Sequence, residues 1–377
     1  MRTIGVGVIG WGFMGKTHTH ALRSLPLFYG DAEFRVALKH VCSRRREQAR
    51  RAAQEMGFER YTEDYRVLLE DPEVVVVSIC TPNELHEEMA VAALKAGKHV
   101  YIDKPLSVDA AGAERIWAAA QGSGKRTRMV FNNRYLPAML RAKALMDEGR
   151  VGEVLSFSVR YLHSGSIDPD KPIGWKQRTQ GGVLLDLGSH GLDLVTWLTG
   201  YPRRVFCKNR VLYDRRPDGA GGTEDRLGED HTLAMMELPN GALGTVEASK
   251  IATGTNDELL LEIRGVKGAI AWNSMDPGYL EFFDNTLPEQ SLGGLRGFVR
   301  IESVGRYAAP GGAFLPPKNA VGWDRGHIHC YYTFLKEIAH GGEADNDVAS
   351  GARLQRLIEA LKQSDREHRW VDVDGCF

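Results

Sequence analysis

The chain has 377 residues, 43% hydrophobic and 26% charged, with a formal net charge of −1. That length accommodates two domains with separate cores, and the balanced charge leaves no basic footprint for nucleic acid or for a membrane surface. Five scattered cysteines (Cys42, Cys80, Cys207, Cys330, Cys376) with no Cys-x-x-Cys pair argue against a disulfide framework or a structural zinc site.

A reducing, cytoplasmic setting is therefore expected. Only Met1-Arg2-Thr3 precede the first strand, so no signal peptide is expected, and no apolar run approaches the ~18–20 residues that span a bilayer.

From the N-terminus, Ile4–Ile9 reads as an apolar strand that runs straight into Gly10-Trp11-Gly12-Phe13-Met14-Gly15, a Gly-x-Gly-x-x-Gly sequence opening a helix over Lys16–Leu25. Gly10 permits the tight turn, Gly12 lets a pyrophosphate approach the backbone, and Gly15 lets helix and strand pack closely; the helix N-terminus offers free N–H groups. After a loop holding Pro26 and Gly30, Phe34–Cys42 is the second strand, and Glu47–Met56 is a helix stopped by Gly57. The run Val74–Cys80 is rich in β-branched residues, as in a strand buried on both faces. Helix Glu84–Ala96, strand His99–Ile102, helix Val108–Gln121 and strand Arg128–Phe131 continue the alternation, which predicts a parallel sheet.

After a helix at Tyr135–Asp147 the pattern changes. Alternating strands are predicted at Val154–Leu162, Val205–Tyr213, His231–Leu238, Ala242–Ile251, Leu259–Arg264 and Ala269–Asn273, with an Asn-Gly hairpin turn at Asn240-Gly241. Leu287–Gly322 has weak periodicity. The expected fold class is α/β: an N-terminal dinucleotide-binding Rossmann domain (1–131) and a C-terminal α+β domain (132–377) with a large, mostly antiparallel open sheet. The face or edge of such a sheet needs cover, so a homodimer or homotetramer is expected.

Three groups of residues can carry chemistry. Asp103-Lys104-Pro105 follows a Rossmann strand, where ligands bind beyond the carboxyl ends, and an X–Pro bond there can be cis. Asp186, His190 and Asp193 recur at helical spacing within Gly181–Leu194. A histidine oriented by a carboxylate, a metal site, and a carboxylate near a helix N-terminus with an unrelated histidine all satisfy that spacing. At the end of the second strand Ser43, with Arg44 and Arg45 behind it, occupies the place of the acidic residue that favours NAD. This favours NADP; arginines that merely coat a helix start, or use of both cofactors, fit as well.

Taken together, the glycine fingerprint, Cys80-Thr81-Pro82-Asn83 with His86, Asp103-Lys104-Pro105 and Gly181–His190 resemble, in order, the glucose-fructose oxidoreductase / inositol dehydrogenase (Gfo/Idh/MocA) family. The resemblance spans nearly the whole chain, to a C-terminal helix at Leu354–Val371. That family usually has glutamate where Asp103 stands. The resemblance implies an NAD(P)-dependent dehydrogenase acting on a secondary hydroxyl of a sugar or cyclitol. His190 would be the general base, Lys104 the group stabilising the alkoxide, and Asp186 the holder of substrate. It further implies that Gly10, Gly12, Phe13, Met14, Gly15, Ser43, Arg44, Arg45, Thr81, Pro82, Asn83, His86, Asp103, Lys104 and Asn132 line the cofactor. Asn133, Arg134, Tyr135, Trp175, Lys176 and His327 would reach the substrate. No metal is expected. Rival readings are a glycoside hydrolase using transient oxidation of its substrate, and a non-enzymatic nucleotide-sensing regulator.

Overall fold

The computed structural model describes residues 2–30, 32–178, 181–342 and 345–373, without the side chains of Trp175 and Lys176. Two compact units emerge: Met1–Leu136 with Gly305–Gln355, and Pro137–Val304 with Arg356–Phe377.

The first unit begins β1 (Arg2–Ile9), α1 (Phe13–Phe28), β2 (Phe34–Cys42), α2 (Arg46–Met56), β3 (Arg60–Thr62), α3 (Tyr65–Glu70), β4 (Val76–Ile79), α4 (His86–Lys95), β5 (His99–Asp103), α5 (Ala110–Ser123) and β6 (Thr127–Val130). All six strands pair in parallel, in the order β3-β2-β1-β4-β5-β6. Strand order reverses between β1 and β4, and ligands of such sheets bind beyond the carboxyl ends at that switch point. Two elements, β3 and α3, were not expected. Helix α1 also runs through Pro26, which the sequence reading places in a loop. So near the helix end the proline forgoes only one N–H bond, to the carbonyl one turn back, and the helix survives.

The second unit carries α6 (Pro137–Asp147), β7 (Val154–Leu162), α7 (Trp175–Arg178), a π-helical turn (Leu184–Gly188) leading into α8 (Ser189–Thr199), then β8 (Arg204–Arg210), β9 (Arg215–Pro217), β10 (Thr223–Asp225), β11 (His231–Glu237), β12 (Leu243–Ser249), β13 (Glu258–Gly265), β14 (Gly268–Asn273), β15 (Tyr279–Asp284) and β16 (Phe298–Glu302). Helices α9 (Trp323–His340) and α10 (Val348–Glu367) and strand β17 (Val371–Asp372) complete the chain. Val371, expected at the end of a helix, is in a strand instead.

Nine strands form the large sheet, in the order β16-β15-β14-β13-β7-β12-β11-β8-β17. Every neighbouring pair is antiparallel except β7 with β12. One face is buried: Val159, Val246, Leu261 and Ile263 are all at most 1% exposed. Gly191 of α8 has Val159 so close that a Cβ would sit 3.2 Å from it, so the helix lies directly on β7.

The domain boundary differs from the one expected at 131/132. Residues 305–355 return to the first unit because the apolar face of α9 (Ile328, Tyr331, Leu335) completes its core. Tyr331 stacks on Tyr101 of β5 at 3.7 Å. Arg128 of β6, fully buried, pairs with Glu337 and donates to Thr333 at 3.1 Å. A buried arginine without such partners would be very costly. Among the described residues, no helix is long and apolar enough to cross a membrane.

Candidate active site

The first unit gathers one set of candidates at the carboxyl ends of its strands. Gly10 takes a φ of +97° after β1, and a Cβ there would lie 2.6 Å from the Cys80 carbonyl oxygen. A Cβ on Gly15 would meet the Gly10 carbonyl at 2.0 Å, whereas one on Gly12 would meet nothing within 4 Å. The space over Gly12 is thus open to a ligand. Helix α1 starts there without a side-chain cap and with no acidic residue in its first turn, leaving N–H groups for an anion. Phe13 is 71% exposed and stacks on Trp323 of α9.

After β2, Ser43 is buried and donates to Gln48 Oε1 at 2.7 Å. A cavity of about 610 Å³ opens beside it, lined among others by Trp11, Lys16, Arg45, Gln48 and Arg51. Arg44 is exposed and does not line it. After β4, Thr81 and Asn83 are half-buried and Pro82 exposed. After β5, the Lys104–Pro105 bond is cis and the Lys104 N–H donates to Asp103 Oδ1 at 2.9 Å. After β6, the buried Asn132 has an amide nitrogen with no hydrogen-bond partner among the described residues. The open space over Gly12, the uncapped helix and this orphaned amide fit a dinucleotide.

Other expected contacts have a different place. His86 is fully buried, with Nδ1 2.9 Å from the Pro105 carbonyl and Nε2 3.0 Å from that of Thr81. It clips together the loops after β4 and β5 rather than facing a ligand. Burial lowers its pKa, and the carbonyls of Pro105 and Thr81 oppose that shift. The hydroxyl of Tyr135 donates to Asp345 at 2.8 Å and also bonds Arg128, so this residue is a structural tie and not a substrate contact. Arg134 is buried 4.0 Å from Asp345, and Asn133 is buried.

His327, expected at the substrate, is on α9 in the first unit, 2% exposed, with neither ring nitrogen partnered among the described residues. It neighbours Trp323 (4.3 Å) and His18 (6.1 Å), and burial, then the charge of His18, hold its pKa far below the usual histidine value. His18 itself was missed. It joins α1 to the end of β4 through Ser78 Oγ (2.9 Å) and Cys80 Sγ (3.0 Å), and burial pushes its pKa down to about 3.

The second unit holds the carboxylate–histidine pair expected from the sequence. Asp186 sits in the π-helical turn and His190 at the start of α8. Glu229 fixes that helix: its Oε1 accepts the Leu184 N–H at 2.7 Å and its carbonyl the Val183 N–H at 2.9 Å. A Cβ on Gly182 would lie 2.0 Å from this carboxylate and would push it aside, so glycine leaves room for the contact. The Tyr161 ring lies 5.7 Å from that of His190. Asp193 is buried.

Strand register adds residues that sequence reading missed. Leu162 of β7 pairs with Ser249 of β12 and Glu258 of β13, so His163, Lys250 and Asp257 form the next row. Tyr161, Ala248 and Leu259, two residues before or after them, are buried on the face beneath α8. Period-2 alternation puts the new row on the same face. Lys250 Nζ indeed reaches Asp186 Oδ2 at 2.7 Å. His163 Nδ1 accepts the Gly165 N–H at 2.7 Å, which leaves the proton of the neutral ring on Nε2. Burial lowers the pKa of His163, against the opposing pull of Asp257, and so favours this neutral form. Burial, reinforced by Asp257, raises that of Tyr161. Among the described residues no group of three or more His, Cys, Asp or Glu is placed to hold a metal. The side chains of Trp175 and Lys176 lie outside those described.

Comparison with known proteins matches both halves. A family described as "Oxidoreductase family, NAD-binding Rossmann fold" covers residues 4–131, and the GFO/IDH/MocA C-terminal domain covers residues 139–271. The levoglucosan dehydrogenase of Pseudarthrobacter phenanthrenivorans is 32% identical over 99% of both chains. The myo-inositol 2-dehydrogenase of Thermotoga maritima is 27% identical over 81% of this chain and 90% of its own. A solved levoglucosan dehydrogenase in complex with NADH and L-sorbose superposes with a TM-score of 0.93 at 32% identity, over 99% of each chain.

Proposed function

The chain belongs to the GFO/IDH/MocA family of oxidoreductases, and from that membership we propose that it is a dehydrogenase of a secondary hydroxyl on a pyranose or cyclitol, with a nicotinamide dinucleotide as hydride acceptor. The observation that carries this reading is the cluster around the π-helical turn: Asp186 and His190 above a row of His163, Lys250 and Asp257. Alternating donors and acceptors of this kind suit a ligand with several hydroxyls.

Each residue has a distinct task. His190 accepts the proton of the reacting hydroxyl. Lys104 donates to the same oxygen and stabilises the charge that develops there. Asp186 holds the neighbouring hydroxyl, and the Nε2–H of His163 donates to another. Gly10, Gly12, Phe13, Met14 and Gly15, with Thr81, Pro82, Asn83, Asp103 and Asn132, hold the dinucleotide. Ser43 in place of a carboxylate, and Arg45 on the adjoining cavity, support a preference for NADP; Arg44 serves only from outside that cavity. The solved relative bound NADH, so both cofactors belong in the assay. The outward face of the nine-stranded sheet, with Leu233, Met235 and Leu243 between 42% and 55% exposed, supports a homodimer or homotetramer.

The test is a screen of anhydrosugars, pyranoses and inositols against NAD and NADP, reading absorbance of the reduced nicotinamide. A productive substrate should lose about 10²–10⁴-fold in kcat with His190→Ala. Silence across the screen, or full activity in that variant, overturns the proposal.

A further inference from the structure

Lys250 stands outside the residues that the family resemblance supplies, yet it touches the acid–base helix directly. Its Nζ is 2.7 Å from Asp186 Oδ2, and both side chains are largely buried, at 17% and 12% exposed. Its main chain is held on two sides: the Lys250 N–H donates to the Asp230 carbonyl at 2.8 Å, and its carbonyl accepts the Ser166 N–H at 2.8 Å. The lysine is therefore anchored where it emerges, and its ammonium lies near a carboxylate one helical turn from His190.

Resting on the functional reading above, we propose that Lys250 is a positioning residue: its ammonium fixes the Asp186 carboxylate and offsets its charge, so that His190 remains an unprotonated base at neutral pH. An isolated carboxylate one turn away would stabilise the imidazolium and withdraw the base. The ion pair gives the site a carboxylate that can accept a substrate hydroxyl without that penalty. Among the described residues, the other charged or titratable groups on the elements around His190 are Asp193 on its own helix, Tyr161 (its ring 5.7 Å from that of His190) and His163 from β7 and the residue after it, and Asp257 before β13. Beyond Lys250 the row continues to Asp230, which is paired with the buried Arg226. Helix α6 also packs on α8, with its Arg141 and Lys143 in surface pairs with Glu148 and Asp147.

Two readouts test this. The first is an NMR titration of the His190 ring, assigned by its loss in His190→Gln, in the wild type, Lys250→Met and Lys250→Arg. It requires folded protein but no turnover, and circular dichroism confirms folding. The expected result is an upward displacement of about half to one pH unit in Lys250→Met, with Lys250→Arg close to wild type. The second is the acid limb of kcat/KM, which should move by the same amount and in the same sense. An unchanged His190 titration in folded Lys250→Met, or the same displacement in Lys250→Arg, overturns the proposal. If Lys250→Met does not fold, Lys250→Gln takes its place under the same criteria. Full activity in His190→Gln overturns the dehydrogenase reading and this role with it, whereas an inactive His190→Gln with an unmoved titration removes only the role of Lys250.

Discussion

At the scale of single residues, the first unit hides several histidines that are neutral because they are buried. Burial holds His18 at about 3 and His99 at about 4, and it lowers His86 and His327 as well. Below the ordinary histidine value of about 6.5 the unfolded chain takes up protons that the folded chain refuses. The stabilisation is thus fully present above that pH and drains away as pH falls towards 4. Each such group costs about 1.4 kcal/mol per pH unit within that window. Urea midpoints should be flat from pH 7 to 8 and fall steeply below 6; a midpoint unchanged at pH 5 contradicts this. The neutral His86 ring donates to one of the Thr81 and Pro105 carbonyls, so His86→Ala leaves that carbonyl without its donor and opens a gap between the two loops. We expect a loss of about 2 kcal/mol in unfolding free energy together with weaker dinucleotide binding, measured by urea titration and by fluorescence of the bound cofactor. Loss of stability alone would show that dinucleotide binding does not depend on His86.

Among elements, the helix carrying Asp186 and His190 depends on support from outside itself. Glu229 takes the Leu184 N–H at its start, so Glu229→Ala should cost about 1–2 kcal/mol and lower kcat while leaving dinucleotide affinity unchanged. An equal fall in dinucleotide affinity would contradict that separation. The elements divide clearly by what a sequence can express. Strand Val76–Ile79, the glycine turn and the stop at Gly57 were legible because β-branched runs and left-handed glycines are local signals. The π-helical turn was not, since it is a shift in hydrogen-bond register rather than a change in composition. Lys250 and His163 escaped for a related reason: only the pairing of β7 with β12 sets them side by side. Lys104 stood out by its place after a Rossmann strand and Asp186 and His190 by helical spacing, but the roles proposed for them came from the resemblance, since spacing alone left a metal site equally open.

For the molecule as a whole, the outward sheet face is the feature most open to measurement. Leu233 and Met235 of β11 point away from the buried side, so Leu233→Glu with Met235→Glu should shift the mass seen by light scattering towards the monomer while leaving the fold intact. A wild-type monomer at micromolar concentration would refute an assembly through this face. The return of Gly305–Gln355 to the first unit could not be read from the sequence because nothing local in Trp323–His340 announces which core it will join. That return has a consequence for biosynthesis. While the ribosome has yet to translate α9, Tyr101 lacks the ring that covers it and Arg128 lacks its counter-ion Glu337. The nucleotide-binding half therefore cannot finish folding as it leaves the exit tunnel, and must wait for nearly the whole polypeptide before it can close.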